Sequence, residues 1–388
     1  MRILMLVISN VATDTRVMRE AAALAGAGHA VHVIGKDVST GYEPPEGVTV
    51  ASVGAGSAFR KQGAESLGAR RKLPPHLRAA RWLLLPQHRN SAFASWRAKA
   101  KQLAADQEFD VVHAHDFNTL SLGVELAQDK RVPLVYDTHE LWQGRPRVGR
   151  PAPLQKRREA KQEQAWGARA ATVITVGQGV ADALREAYGW RHVEVVRNTF
   201  PLPEGGPVDP PTKVTGAVYA GRIAPFRELE AIAGASELVK PLRIVIAGPA
   251  DDTYLGSYNA KAAEVVGARP VDEVDALLRE LGISLVTHSD KWLNHRLAMP
   301  NKLFHAVRAG VPVVGTDVQE LRRVVEEHKL GALYTPGDAA SLAAALQEVA
   351  DNYATYAVNV RAAAPALSWE ADSEVLRGIY ERLTPRGD

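Results

Sequence analysis

The feature that most constrains this chain is an alternation of short apolar runs with helical patterns, broken once by proline and then repeated. Arg2–Ser9, His29–Gly35, Val48–Val53, Val111–His115, Pro133–Thr138, Thr172–Val176 and Val193–Val196 read as strands. Between several of them lie amphipathic stretches, Arg16–Ala27 (stopped by Gly28) and Gln178–Tyr188. Runs that are apolar on both faces and separated by helices belong to a parallel sheet covered on both sides. Pro201–Lys213 is rich in proline and glycine and reads as a linker. The pattern then restarts, with strands at Val214–Ala220, Leu242–Ala247, Ile283–Val286, Val311–Gly315 and Ala332–Tyr334. Phe226–Val239, Val271–Leu281, Asn301–Ala309, Ala339–Ala350 and Trp369–Leu383 read as helices. The expected fold is α/β, two Rossmann-like doubly wound domains facing across a cleft. The boundaries are 1–198 for the first domain, 199–213 for the linker, 214–366 for the second domain, and 367–388 for a helix packing back on the first. In such sheets ligands bind beyond the carboxyl ends of the strands, so the loops there decide function.

Composition narrows the classes. A chain of 388 residues with 46% hydrophobic and 23% charged residues is an ordinary globular one. It has no cysteine, which removes disulfide frameworks, thiolate metal sites and cysteine nucleophiles. No apolar run reaches the roughly 18 residues of a spanning helix. The opening Arg2–Ser9 is short and runs into Asn10 without a cleavage pattern, so it reads as a buried strand and the expected location is cytoplasmic. Neither a G-x-x-x-x-G-K-[ST] loop nor a G-x-G-x-x-G after the first strand is present.

Charge is unevenly placed. Between Arg60 and Lys101 stand eleven Lys or Arg and one acid, Glu65, a net +10 in a chain whose total is +3, so the remainder is −7. Within that segment 60–101, Arg70–Leu85 mixes cations with Trp82 and leucines, a composition suited to the inner face of an anionic membrane. The alternative is a solvated helix with its leucines in the core. Arg145–Arg158 is a second basic stretch. No nucleic-acid partner is expected, because no binding module accompanies the charge.

Four loops carry the chemistry. Asp14-Thr15-Arg16-Val17-Met18-Arg19-Glu20 opens the first helix, and Ala27-Gly28-His29-Ala30-Val31 closes it. His113-Ala114-His115-Asp116 ends one strand and Tyr136-Asp137-Thr138-His139-Glu140 the next. Tyr219-Ala220-Gly221-Arg222-Ile223, with Arg227, ends the first strand of the second half. Met299-Pro300-Asn301-Lys302-Leu303-Phe304-His305 precedes Ala309-Gly310-Val311-Pro312-Val313-Val314. In this order they resemble the GT-B nucleotide-sugar glycosyltransferases, and among them the retaining family GT4 in its P-N-K-L-F branch.

Elementary chemistry points to the same residues. Arg222 and Arg227 lie at a strand's carboxyl end, where guanidinium suits a diphosphate. Lys302 sits in the first turn of a helix started by Pro300, where free N–H groups favour phosphate. Fixed cations in a dry site stabilise a diphosphate leaving group as its charge grows. Taken alone, an arginine here reads first as a solvated surface charge; three cations at the mouth of one sheet read as a phosphate site. Asp14 taken alone is a helix cap. His113 and His115 are expected to point to opposite faces of their strand, which argues against a metal site shared with Asp116 and His139. Asp137, His139 and Glu140 end the neighbouring strand, where they reach an acceptor hydroxyl.

The resemblance implies a nucleoside-diphosphate sugar as donor, a hydroxyl acceptor, and neither metal nor other cofactor. It puts the sugar at His115 and makes Asp14 and His139 its catalytic neighbours, with Arg16, Asp116, Asp137 and Glu140 toward the acceptor. It puts the donor at Gly221, Arg222, Arg227, Met299, Pro300, Asn301 and Lys302, with base contacts along the backbone near Arg269 and Val271. It implies same-face attack, the leaving phosphate taking the acceptor's proton. One departure stands out. The two glutamates of the family's E-x7-E motif fall at Leu297 and His305, which leaves a non-catalytic binding protein, or a nucleotide-sugar epimerase or hydrolase, as alternatives.

Overall fold

The computed structural model of the chain describes residues 1–36, 38, 41–54, 93–145 and 153–383. Of the basic segment 60–101, residues 60–92 lie outside these, as do residues 146–152 of the second basic stretch. Among the described residues no helix is long and apolar enough to cross a membrane.

The first sheet is built from β1 (Arg2–Asn10), β2 (Ala30–Lys36), β3 (Val48–Val53), β4 (Val111–His115), β5 (Leu134–Thr138), β6 (Thr172–Thr175) and β7 (Val193–Val195). Its order is β3-β2-β1-β4-β5-β6-β7. The helices are α1 (Thr15–Gly26), α2 (93–105), α3 (Asp116–Lys130), α4 (Pro153–Gly167) and α5 (Gln178–Tyr188). The second sheet contains β8 (Gly216–Ala220), β9 (Arg243–Ala247), β10 (Glu264–Val266), β11 (Gly282–Val286), β12 (Val313–Thr316) and β13 (Gly331–Tyr334) in the order β10-β9-β8-β11-β12-β13. With it come α6 (Leu229–Leu238), α7 (Asp252–Leu255), α8 (Val271–Leu281), α9 (Leu293–Arg296), α10 (Asn301–Ala309), α11 (Gln319–His328), α12 (Ala339–Asp351), α13 (Tyr353–Ala363) and α14 (Trp369–Leu383). The pairs β1–β4 and β8–β11 are parallel and mark where strand order reverses, the switch point at which doubly wound sheets bind ligands.

By contact density the chain divides into two compact units. One is Met1–Asp137 with Gln162–Val173 and the chain end from Glu381; the other is Thr138–Lys161 with Ile174–Tyr380. In the second unit the strand period of two sorts β8 into two core layers. Ala217 and Tyr219 pack with Leu229 and Ile232 of α6 and Leu342 and Leu346 of α12. Val218 packs with Leu278 and Leu281 of α8 and Leu303 and Phe304 of α10. Each such buried leucine is worth about 1.5–3 kcal/mol. α14 is tied down by buried Asp372, which accepts from Arg197 Nε at 3.0 Å and the Thr199 hydroxyl at 2.7 Å.

Every strand and helix read from the sequence is present, with ends moved by three residues or fewer. The largest move has a backbone cause. Phe226 and Glu228 have φ of 65° and 61°, in the left-handed region, so α6 starts at Leu229 and not at Phe226.

Candidate functional site

The end of β8 is held from beneath. The Tyr219 hydroxyl donates to the Arg222 carbonyl at 2.9 Å, and Gly221 N–H donates to Ala247 of β9 at 2.8 Å. Gly248, at φ 152°, is where a Cβ would strike the Gly221 backbone, so only glycine lets the two strand ends approach this closely. The Thr287 hydroxyl, just past β11, donates to the Arg227 carbonyl at 2.7 Å and so fixes Arg227 beside His288. Lys302, in the first turn of α10, places its ammonium 4.9 Å from the centre of the Tyr219 ring. α10 begins at Pro300 without a side-chain cap.

These groups feel one another. Burial first, and the charge of Arg227 second, lower Lys302 to about 7. His288 is lowered to about 3 by burial, then by His295, Lys302 and Arg227. Burial and then Arg227 lower His295 to about 4. Burial raises the Tyr219 hydroxyl to about 12, against the pull of Arg227. Among the described residues neither Arg227 nor Lys302 has an acidic partner. Cations so crowded and so poorly solvated can receive an anion.

Of the other donor residues expected from sequence, Met299 is buried, and Asn301 is exposed and accepts from Asn198 at 3.0 Å. Arg222 is exposed, and among the described residues no contact ties its side chain to the Arg227–Lys302 cluster. Arg269 pairs with Glu273 at 3.3 Å beside the exposed Val271. His305 Nδ1 lies 3.3 Å from Asp275, and its ring packs on Phe200 at 4.1 Å. Leu297 is buried. His288, His295, Ser289 and Tyr219 were not legible as site residues. The signal for the first two is their place after Ile283–Val286, equivalent to that of Arg222 after β8.

In the first unit the expectation for the histidines is overturned. His113 and His115 lie on the same face of β4, their rings stacked at 4.2 Å. Side chains alternate with a period of two, so residues two apart share a face and it is Ala114 that points away. Asp137 stands beside His115 in register, with Oδ2 3.4 Å from its Nδ1. Arg16 donates to both oxygens of Asp137, from Nη2 at 3.1 Å, and pairs with Glu20 from Nε at 3.0 Å. His113 Nε2 is 3.9 Å from each carboxylate. All five residues are buried. The ligand atoms of Glu20, His113, His115 and Asp137 lie within 4.8 Å of one another, so opposite faces no longer argue against a metal. What stands between these carboxylates is the Arg16 guanidinium.

Asp14 caps α1, accepting from Val17 N–H at 3.2 Å and the Ser9 hydroxyl at 2.6 Å. Asp116 opens α3 at φ 63°. In the second unit His139 is half-buried, and Glu140 pairs with Arg145 at 2.9 Å and accepts from Asn294 at 2.7 Å.

Two family models match successive stretches of the chain. The model of Glycosyltransferase Family 4 matches residues 13–202, and that of Glycosyl transferases group 1 matches residues 215–352. A glycogen synthase of Mycobacterium tuberculosis is 26% identical over 294 residues, 71% of this chain and 68% of the relative. A phosphatidyl-myo-inositol mannosyltransferase of Mycobacterium leprae is 25% identical over 321 residues, 75% of this chain and 78% of the relative. Among solved structures, a sucrose-phosphate synthase from Thermosynechococcus elongatus superposes with a TM-score of 0.73 at 17% identity, covering 98% of each chain. Anabaena HepE in complex with UDP gives 0.68 at 17% identity, covering 99% of each. The chain belongs to the family 4 type of GT-B glycosyltransferases, enzymes that transfer a sugar from a nucleotide-sugar donor.

Proposed function

We propose that this protein moves a sugar from a nucleoside-diphosphate sugar to a hydroxyl acceptor with retention, its donor diphosphate held by Arg227 and Lys302. The observation that carries this reading is the pair itself: two cations without counter-charge among the described residues, at the switch point of the second sheet and at an uncapped helix N-terminus. A neighbour of the same fold is known in complex with UDP, which favours a nucleoside diphosphate as the anion. Arg227 and Lys302 supply the positive charge at the leaving group, so the reading needs no metal. His115 is assigned to the sugar, and Asp14 and His139 to the acceptor's side. The acceptor oxygen bonds to the anomeric carbon on the face the phosphate leaves, the carbon–phosphate oxygen bond breaks, and the acceptor's proton passes to the departing phosphate. The basic segment 60–101 is assigned to an anionic membrane surface, where acceptors of a lipid-linked kind reside.

Calorimetric titration with UDP, GDP, dTDP and ADP tests the donor site. One nucleotide is expected to bind in the micromolar range, and Arg227→Ala and Lys302→Ala to lose it. No binding by any of the four ends this reading. The anomeric configuration of the first product, read by NMR, decides retention, and flotation with phosphatidylglycerol vesicles decides the membrane assignment.

A further inference from the structure

We infer that His295 is a further ligand of the donor diphosphate, offering Nε2–H as a neutral donor, and that Ser289 is the positioning residue that sets this tautomer. The inference rests on the diphosphate reading of Arg227 and Lys302 and adds to it residues that no sequence signature supplied.

The argument begins with the buried Ser289 hydroxyl, 1% exposed, whose oxygen lies 2.6 Å from His295 Nδ1. Among the described residues this hydroxyl has no other hydrogen-bond partner. If Nδ1 carried the ring proton and donated to Ser289, the hydroxyl's own hydrogen would be buried without an acceptor, which is the costly arrangement. With the hydroxyl donating to Nδ1, Ser289 is satisfied and the ring proton resides on Nε2. The ring is fixed as well as the tautomer. Trp292 packs edge-on against it at 4.6 Å and His288 does so at 4.4 Å on another side. His288 is itself anchored, its N–H donating to the Thr316 hydroxyl at 2.9 Å.

The result is a preset N–H donor beside Arg227 whose Nε2 has no acceptor in the chain among the described residues. Next to Arg227 the ring stays neutral, because a second positive charge there is disfavoured by burial and by the guanidinium. A neutral donor is what a crowded cationic site can still add: it gives a charge-assisted hydrogen bond to phosphate without further repulsion before the ligand arrives.

The test uses the intact protein and inorganic pyrophosphate, which isolates the diphosphate contacts from base and sugar. The side-chain nitrogen of glutamine takes the place of Nε2 and that of asparagine the place of Nδ1. His295→Gln should bind pyrophosphate within about twofold of wild type, and His295→Asn about tenfold more weakly, the size of one hydrogen bond to a charged group. Ser289→Ala should fall between them. Long-range 15N–1H correlation on histidine-labelled wild type, with His295→Gln for assignment, should show His295 as the Nε2–H form before and after pyrophosphate is added. Observation of the Nδ1–H form, or equal binding by the glutamine and asparagine variants, overturns the inference. If these variants match wild type while Arg227→Ala loses pyrophosphate, the diphosphate reading stands and only the role of His295 falls. If wild type binds neither pyrophosphate nor any nucleoside diphosphate, the diphosphate reading falls with it.

Discussion

The two sheets end in clusters of titratable groups that treat charge in opposite ways. At the end of β4 and β5, Arg16 is matched by Asp137 and Glu20, and two histidines lean on the same carboxylates. At the end of β8 and β11, Arg227 and Lys302 face two neutral imidazoles and, among the described residues, no acid. A cluster that supplies its own counter-charge orients its members in the absence of ligand, and a cluster that lacks it is completed only by one. On this ground the first fixes the ring of His115, and the second has the unbalanced positive charge that the proposed diphosphate requires.

Breaking the compensated cluster should have the largest effect. Asp137→Ala leaves Arg16 buried beside Glu20 and removes a carboxylate next to His115. Loss of one member of a buried ion pair costs about 3–5 kcal/mol. Urea unfolding, followed by tryptophan fluorescence, should show that loss in the transition of the first unit. A cost under about 1 kcal/mol would mean that water already shares the site.

The same operation on the uncompensated cluster should have the opposite sign for stability. Lys302→Met removes an ammonium that burial and Arg227 already disfavour, so the ligand-free protein should be unchanged or slightly more stable. Nucleotide affinity should fall by about 1.5–3 kcal/mol, roughly 10- to 150-fold, as expected for a hydrogen bond to a charged group. Destabilisation of the ligand-free variant would show that Lys302 holds the fold and not a ligand.

Acidity separates the clusters a third way. His288 and His295 ionise near 3 and 4 when folded and near 6.5 when unfolded. Between those values the unfolded chain binds more protons, so stability is full above about pH 6.5 and is lost as pH falls toward 3. Lys302, near 7 when folded against 10.5 unfolded, adds a rise between pH 7 and 10.5 for the same reason. A bound diphosphate keeps that ammonium charged and should flatten or reverse the alkaline rise. Melting temperature against pH, with and without pyrophosphate, reads both limbs, and an alkaline rise indifferent to pyrophosphate would place the anion elsewhere.

Much of this contrast was legible before folding was considered. Gly221, Arg227, Pro300 and Lys302 are recognisable from strand ends and a helix start, because those places are marked by local sequence. The helices α2, α3, α4, α7, α9, α11 and α13 and the strand β10 were not. α4 has too few apolar residues to show a stripe, and α3 follows β4 without a break, Asp116 turning the chain by its positive φ. The acid–histidine cluster joins Arg16 to Asp137, 121 residues apart, a proximity created by β1, β4 and β5 lying side by side. Arg16 and Asp137 read as acceptor contacts in the sequence and are found buried against each other.

A smaller effect sharpens the comparison at two helix starts. α10 begins at Pro300 without a side-chain cap, while α5 receives an anion from the chain itself: Glu320 accepts from Gln178 N–H at 3.0 Å and Gly179 N–H at 2.9 Å. A Cβ on Gly179 would sit 2.9 Å from that carboxylate, so glycine there leaves it room. Glu320 is buried and is met on its other side by Arg323 at 2.7 Å. Glu320→Ala should therefore cost about 1–2 kcal/mol, the worth of a helix cap, since the half-exposed Arg323 adds little. It should also open at α5 the kind of vacancy that α10 has by nature. Sulfate should then stabilise Glu320→Ala more than wild type, because the variant has one more uncapped helix start to fill. Equal stabilisation of both proteins by sulfate would mean that the N–H groups of α5 find another acceptor once the carboxylate is gone, and that lack of a cap alone does not mark α10 as an anion site.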